Sequence, residues 1–219
     1  MMAGPLRRRR FAVRFAAVAA LAATLWQPAA HAGRQAEEYL APSVVAGLAA
    51  AVADQPVPAD YARRPEASAW IGEMSRRLAS RIPKEIDRVD FLATVHYEAT
   101  RAALDPELVL AVIHHESAFR KYAISSAEAR GYMQVMPFWT RLIGTPDQNL
   151  FHLRTNLRYG CTILRHYLSL EGGDVYRALG RYNGSLGRPE YPTAVMTAAL
   201  RYRMAPGQPD FTIATVGAR

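Results

Sequence analysis

The chain has 219 residues and a formal net charge of +8, but five of its 27 Lys and Arg residues, Arg7 to Arg10 and Arg14, fall in residues 1–32, which hold no acid. Beyond residue 32, 22 basic residues face 19 acidic ones, a balance of +3 that removes most of the case for a nucleic-acid partner. Cys161 is the single cysteine, which excludes an internal disulfide and leaves stability to a buried core.

The N-terminus carries a basic run at Arg7 to Arg10, an apolar run from Phe11 to Leu25 broken by Arg14 and Thr24, and the small-x-small site Ala30-His31-Ala32. This pattern predicts a signal peptide over residues 1–32, cleaved near Ala32, and an exported product. No later stretch reaches 18 uninterrupted apolar residues, so no stable membrane insertion is expected after cleavage. Residues 33–65, Ala-rich and punctuated by Pro42, Pro56, Pro58 and Pro65, read as a low-complexity linker or loosely ordered segment.

From residue 66 to residue 204 the pattern is helical. Trp70, Ile71, Met74 and Leu78 form one apolar stripe over residues 67–81, and a second helix is expected from Pro83 toward Leu104. Asp105-Pro106 combines an N-cap with a proline in the first turn and starts a helix reaching about Phe119. Further helices are expected over 149–170, stopped by Gly172-Gly173, from Asp174 through Leu179, and over 193–204. The expectation is an all-α domain of six to eight helices, followed by a flexible tail over 205–219.

The helix after Asp105 holds the strongest chemical signal. Leu108, Val112 and Glu116 share one row, and Val109, Ile113 and Glu116 a second, so Glu116 projects from the apolar stripe near the helix's C-terminal end. Burial and the negative end of the helix dipole both disfavour its charged form, and a neutral, proton-donating carboxylic acid near neutral pH is expected. The structural alternative pairs Glu116 with His114, His115 or Arg120 as a tie between helices. No metal is expected: His114, His115, His96, His152 and His166 lack ligand spacing, and the second histidine of the zinc-protease helix is missing.

Four segments in order, HHES, SSAEARGYMQVMPFWT, NLFHLRTNLRYG and RYNGSLGRPEYP, resemble the motifs of the soluble lytic transglycosylase (SLT) family, a branch of the lysozyme-like superfamily. The resemblance covers roughly residues 104–200 and implies a lysozyme-like helical domain. It makes Glu116 the catalytic acid, followed by Ser117, and matches Ser125 to a serine that positions the acid or the sugar. Gly131, Met133, Gln134, Met136 and Pro137 match a segment flooring the saccharide cleft, Asn156 and Gly160 a structural pair, and Tyr182 with Asn183 a dipeptide facing the acid. Glu128 replaces a usual glycine, Tyr132 a usual leucine, and Gly184-Ser185 a usual Ala-Gly.

By this resemblance Gln134, Tyr182 and Asn183 offer hydrogen bonds to sugar substituents, and Tyr182 and Met136 offer apolar faces to sugar rings. The implied substrate is the glycan strand of peptidoglycan, and the implied location is periplasmic. The implied reaction needs no cofactor: Glu116 protonates the leaving oxygen and then serves as base for the N-acetylmuramyl C6 hydroxyl, giving a 1,6-anhydro end. Glu128, Asp147 and Glu190 stand as possible second carboxylates, which would permit hydrolysis instead. A non-catalytic wall-binding or secretion-associated scaffold is the alternative from another class.

Overall fold

The computed structural model describes Met1, Gln35 and residues 37–53 and 56–204. The signal sequence, Met1 apart, and the 205–219 tail lie outside the described residues. Eight α-helices are present among the latter: α1 (Pro42–Val52), α2 (Pro65–Leu78), α3 (Glu85–Arg101), α4 (Pro106–Ser117), α5 (Phe138–Ile143), α6 (Leu153–Leu170), α7 (Val175–Asn183) and α8 (Glu190–Ala199), with a 3-10 turn at Tyr61–Arg63. No named strand occurs among the described residues; isolated bridges Ile124–Arg130 and Arg130–Val135 tie the loop between α4 and α5. No described helix is long and apolar enough to cross a membrane. The expected all-α architecture is therefore the observed one.

Local chemistry accounts for the helix ends that frame the site. Asp105 accepts the Glu107 N–H at 2.7 Å and Pro106 fills the first position of α4, so its start falls where expected. Asp174 accepts the Arg177 N–H at 3.0 Å to open α7, and Gly184, at φ 72°, closes it. The short α5 escapes the sequence reading because its six residues offer too few turns for a periodicity.

α4 is apolar nearly all round: Val109, Leu110, Ala111, Val112 and Ile113 are buried, and the helix packs between α3 and α8. α6 crosses α3, α7 and α1. Cys161 on α6 is buried, and its surroundings push the thiol up, as fits a small core residue. α1 lies in the stretch read as linker or loosely ordered, yet Leu48 and Val52 are buried and the helix packs against α5 and α6. Its alanines hide the amphipathic stripe, because Ala contributes little to a hydrophobic pattern.

One buried ion pair fastens three of these elements. Arg158 on α6 donates to Glu98 on α3 through Nη2 at 2.7 Å and Nε at 3.0 Å, and through Nη1 to the Ala53 carbonyl just beyond α1 at 2.6 Å. Arg101 reaches the other Glu98 oxygen at 2.9 Å. Both members of the pair are shielded, so removing one leaves the other charged without its main partner. Glu98→Ala should destabilise the fold by about 3–5 kcal/mol, measured as the urea-unfolding free energy, while the folded fraction keeps its turnover.

Candidate active site

Glu116 sits in the last turn of α4 and is 6% exposed. The helix stops at Ser117, two residues earlier than expected, because Ala118 and Phe119 both take left-handed backbone, with φ 49° and 67°. That reversal throws the chain out of the helix directly after the acid and opens the loop that forms the next wall.

Burial raises the Glu116 carboxyl to about 7. The opposing contribution is one hydrogen bond: Tyr191 on α8 donates its hydroxyl to Oε1 at 2.5 Å. The C-terminal dipole of α4 acts in the same direction as burial. Tyr191 is itself pushed well above the ordinary phenol range by burial and then by the Glu116 charge, so it remains a donor. Tyr182, also buried, is raised by burial and then by the same charge, which places its ring in the same electrostatic neighbourhood.

The neighbouring basic groups point elsewhere. His114 Nδ1 meets the Tyr202 hydroxyl at 2.7 Å, His115 packs edge-on against Tyr191 at 5.0 Å, and Arg120 Nε donates to the Ser117 carbonyl at 3.0 Å. Burial lowers both histidines, so neither supplies a positive charge near pH 7. The structural alternative, an ion pair across helices, is replaced by a neutral acid facing a phenol.

The remaining candidates sit at the end of α4, in the loop between α4 and α5, and at the end of α7. Ser117 is buried and its hydroxyl bonds back to the Ile113 carbonyl at 3.1 Å, within its own helix. Ser125 is partly buried and its Oγ accepts the Ala127 and Ala129 N–H groups at 3.2 and 3.1 Å, organising the loop. Gln134 takes φ 48° and donates its carboxamide to the Ala123 and Gly131 carbonyls at 3.1 and 3.0 Å. Met133 is fully buried and Met136 half-buried.

Tyr182 departs from its expected role. It is 1% exposed and its hydroxyl donates to the Met133 carbonyl at 2.8 Å, so both ring and hydroxyl are committed to the wall. Asn183, at the last position of α7, is buried beside it.

Asn156 on α6 braces the loop between α4 and α5. It accepts the Met133 N–H at 2.8 Å and donates to the Arg130 and Leu150 carbonyls, each at 2.8 Å. All three are loop groups, and an asparagine, with a donor and an acceptor on one planar group, fits there; the Arg130 carbonyl also accepts the Val135 N–H at 3.0 Å. Gly131 and Gly160 are required by proximity. A Cβ on Gly131 would meet Asn156 Nδ2 at 2.5 Å, and one on Gly160 would meet Met133 Sδ at 2.3 Å. Glu128, standing where a glycine is usual, has φ 67°, the backbone that favours glycine. Its ion pair with Arg130 is exposed and long, at 3.7 Å.

Glu128, Asp147 and Glu190 are all exposed. Among the described residues the buried glutamates are Glu116 and Glu98, and Glu98 is held by two arginines.

Residues 93–193 match the Transglycosylase SLT domain model. Over this stretch, a little under half of its length, the chain is similar to the SLT family. It is 29% identical over 147 residues to the membrane-bound lytic murein transglycosylase C of Salmonella typhimurium, covering 58% of this chain and 41% of that relative. The same-named protein of Actinobacillus pleuropneumoniae serotype 5b is 42% identical over 53 residues, covering 24% of this chain and 14% of that one. The chain thus spans less than half the length of these curated relatives. An inactive mutant of the lytic transglycosylase Slt from Pseudomonas aeruginosa aligns with a TM-score of 0.47 and 21% identity, covering 78% of this chain and 38% of that one.

Tyr191 is the contact of Glu116 that the sequence did not single out. Tyr191 lies 75 residues from Glu116 in the chain, and no spacing rule links the two. Its position inside the motif RYNGSLGRPEYP was the available signal.

The raised carboxyl has a definite sign in stability. The folded state holds the Glu116 proton between the ordinary value of 4.5 and about 7, so stability falls as pH rises through that window. Glu116→Gln should match wild type near pH 4 and exceed it near pH 8 by on the order of 3 kcal/mol, read from denaturant midpoints at the two pH values. Tyr191→Phe removes the donor that favours the carboxylate, so the Glu116 midpoint, followed by NMR of labelled glutamate, should move above that of wild type.

Proposed function

We propose that the protein is a peptidoglycan lytic transglycosylase that cleaves the bond between N-acetylmuramic acid and N-acetylglucosamine. The observation that carries this reading is the buried Glu116 carboxyl, held near pKa 7 beside Tyr191 in a domain similar to the SLT family. A group with that pKa is partly protonated at neutral pH and is equally able to give and to take a proton.

The chemistry uses Glu116 twice. Its carboxylic acid delivers the proton to the bridging oxygen as the C1–O bond breaks and positive charge develops on the muramyl ring. The carboxylate left behind accepts the proton of the muramyl C6 hydroxyl, whose oxygen bonds to C1 and closes the 1,6-anhydro ring. No water is consumed, and Glu116 returns to its acid form. Tyr191 supports both halves, since its hydroxyl donates to the carboxylate that appears between them. Met136, half-buried, is the residue proposed to meet a sugar ring; Asn183 and the Gln134 amide oxygen are proposed contacts for acetamido and hydroxyl groups.

The basic and apolar N-terminal pattern, together with a wall substrate, supports an exported, periplasmic protein. The decisive measurement is mass spectrometry of the muropeptides released from purified sacculi. Anhydro ends are expected, and reducing ends carrying an added water would replace this reading with hydrolysis by the same acid. Glu116→Gln should lower release at least about 100-fold. Equal release by wild type and variant would remove Glu116 from the chemistry, and binding without release by wild type would make the protein a scaffold.

A further inference from the structure

Gln35 lies outside the SLT match and three residues beyond the predicted cleavage site at Ala32, yet it is buried at 6% exposure. Its carboxamide does two jobs in one plane. Nε2 donates to the Tyr182 carbonyl at 2.6 Å, and Oε1 accepts the Trp139 indole N–H at 2.8 Å. Both partners belong to groups that are costly to bury unpaired: the Tyr182 carbonyl is one of the last four of α7, which have no intrahelical donor, and the indole N–H of Trp139 sits in the core. A primary amide is the side chain that satisfies an acceptor and a donor at once.

The two groups that Gln35 joins belong to the elements that shape the site. Trp139 is on α5, immediately after the Gly131–Pro137 floor. Tyr182 reaches back to that floor through its hydroxyl on the Met133 carbonyl, and its ring lies within the field of Glu116. The clamp therefore closes a circuit from the N-terminal segment to α7, to the floor and to α5. Nearby, Glu38 lies 3.9 Å from Arg181, and α1 continues along α5 and α6.

We propose that Gln35 is a positioning residue for the Glu116 site, clamping the end of α7 to α5 so that Tyr182 and the Met133 loop hold their places around the acid. The segment just behind the leader is then part of the catalytic unit, and processing must leave residue 35 on the mature chain. The proposal rests on the transglycosylase reading for its effect on turnover, and on geometry alone for its effect on Glu116.

The test uses the full chain carrying Gln35→Ala, assayed well below its melting temperature. Release of soluble muropeptides should fall about tenfold in kcat with KM changed less than about twofold, because orientation rather than binding is lost. The Glu116 midpoint, read by NMR of labelled glutamate, should move down from that of wild type as the loosened wall admits water. A folded Gln35→Ala protein with unchanged kcat and unchanged Glu116 midpoint would reduce Gln35 to a stabilising contact and overturn the proposal.

Gln35→Glu provides a second handle. Its protonated carboxyl can still donate to Tyr182 and accept from Trp139, whereas the ionised form cannot donate. Activity relative to wild type should recover at acid pH and fall at pH 8, and a pH-independent ratio would overturn the proposal even if Gln35→Ala does not fold. Wild type without any release from sacculi would instead sink the transglycosylase reading, with the NMR midpoint still deciding the role of Gln35.

Discussion

The contact between Tyr191 and Glu116 is the constraint around which this structure is arranged. An acid buried at the end of an apolar helix carries a desolvation cost for its charged form that no cation among the described residues relieves, since His114 and His115 are themselves held neutral by burial. A single phenol, bonded at 2.5 Å, moderates that cost without abolishing it. The result is a carboxyl with a pKa of about 7. The packing of α8 on α4 delivers Tyr191 to it.

Around that pair the chain spends its polar side chains on backbone. Asn156, Ser125 and Tyr182 pair loop groups that burial would otherwise leave unsatisfied, and Gln134 and Ser117 add second hydrogen bonds to carbonyls of the loop and of α4. A wall built this way is rigid because every displacement breaks hydrogen bonds in a water-poor setting. Strained backbone at Ala118, Phe119, Glu128 and Gln134 is held in place by the same network.

Much of this was legible in the sequence. The helix of Glu116, its N-cap at Asp105, and the burial of the acid follow from local propensity and a 3.6-residue stripe, both of which are encoded in neighbouring residues. The ordered motifs marked Asn156 and Gly160, and the structure sets both against Met133. Tyr182 looks like an aromatic platform in one dimension, but its ring and hydroxyl are buried against Met133, because exposure is a property of packing and not of residue type. The Ala-rich stretch before residue 65 hides α1 for a related reason: small side chains leave no periodic mark, and only the surface they meet reveals that they are buried.

The sequence by itself determined the helical class, the placement of one carboxylate on an apolar face, and the family motifs, because each rests on residues close together along the chain. The tertiary structure decided the partner of that carboxylate, the bracing role of Tyr182, and the clamp made by Gln35. Those three contacts join positions 75, 49 and 147 residues apart, and distances of that order are set by how helices pack, which no local pattern records.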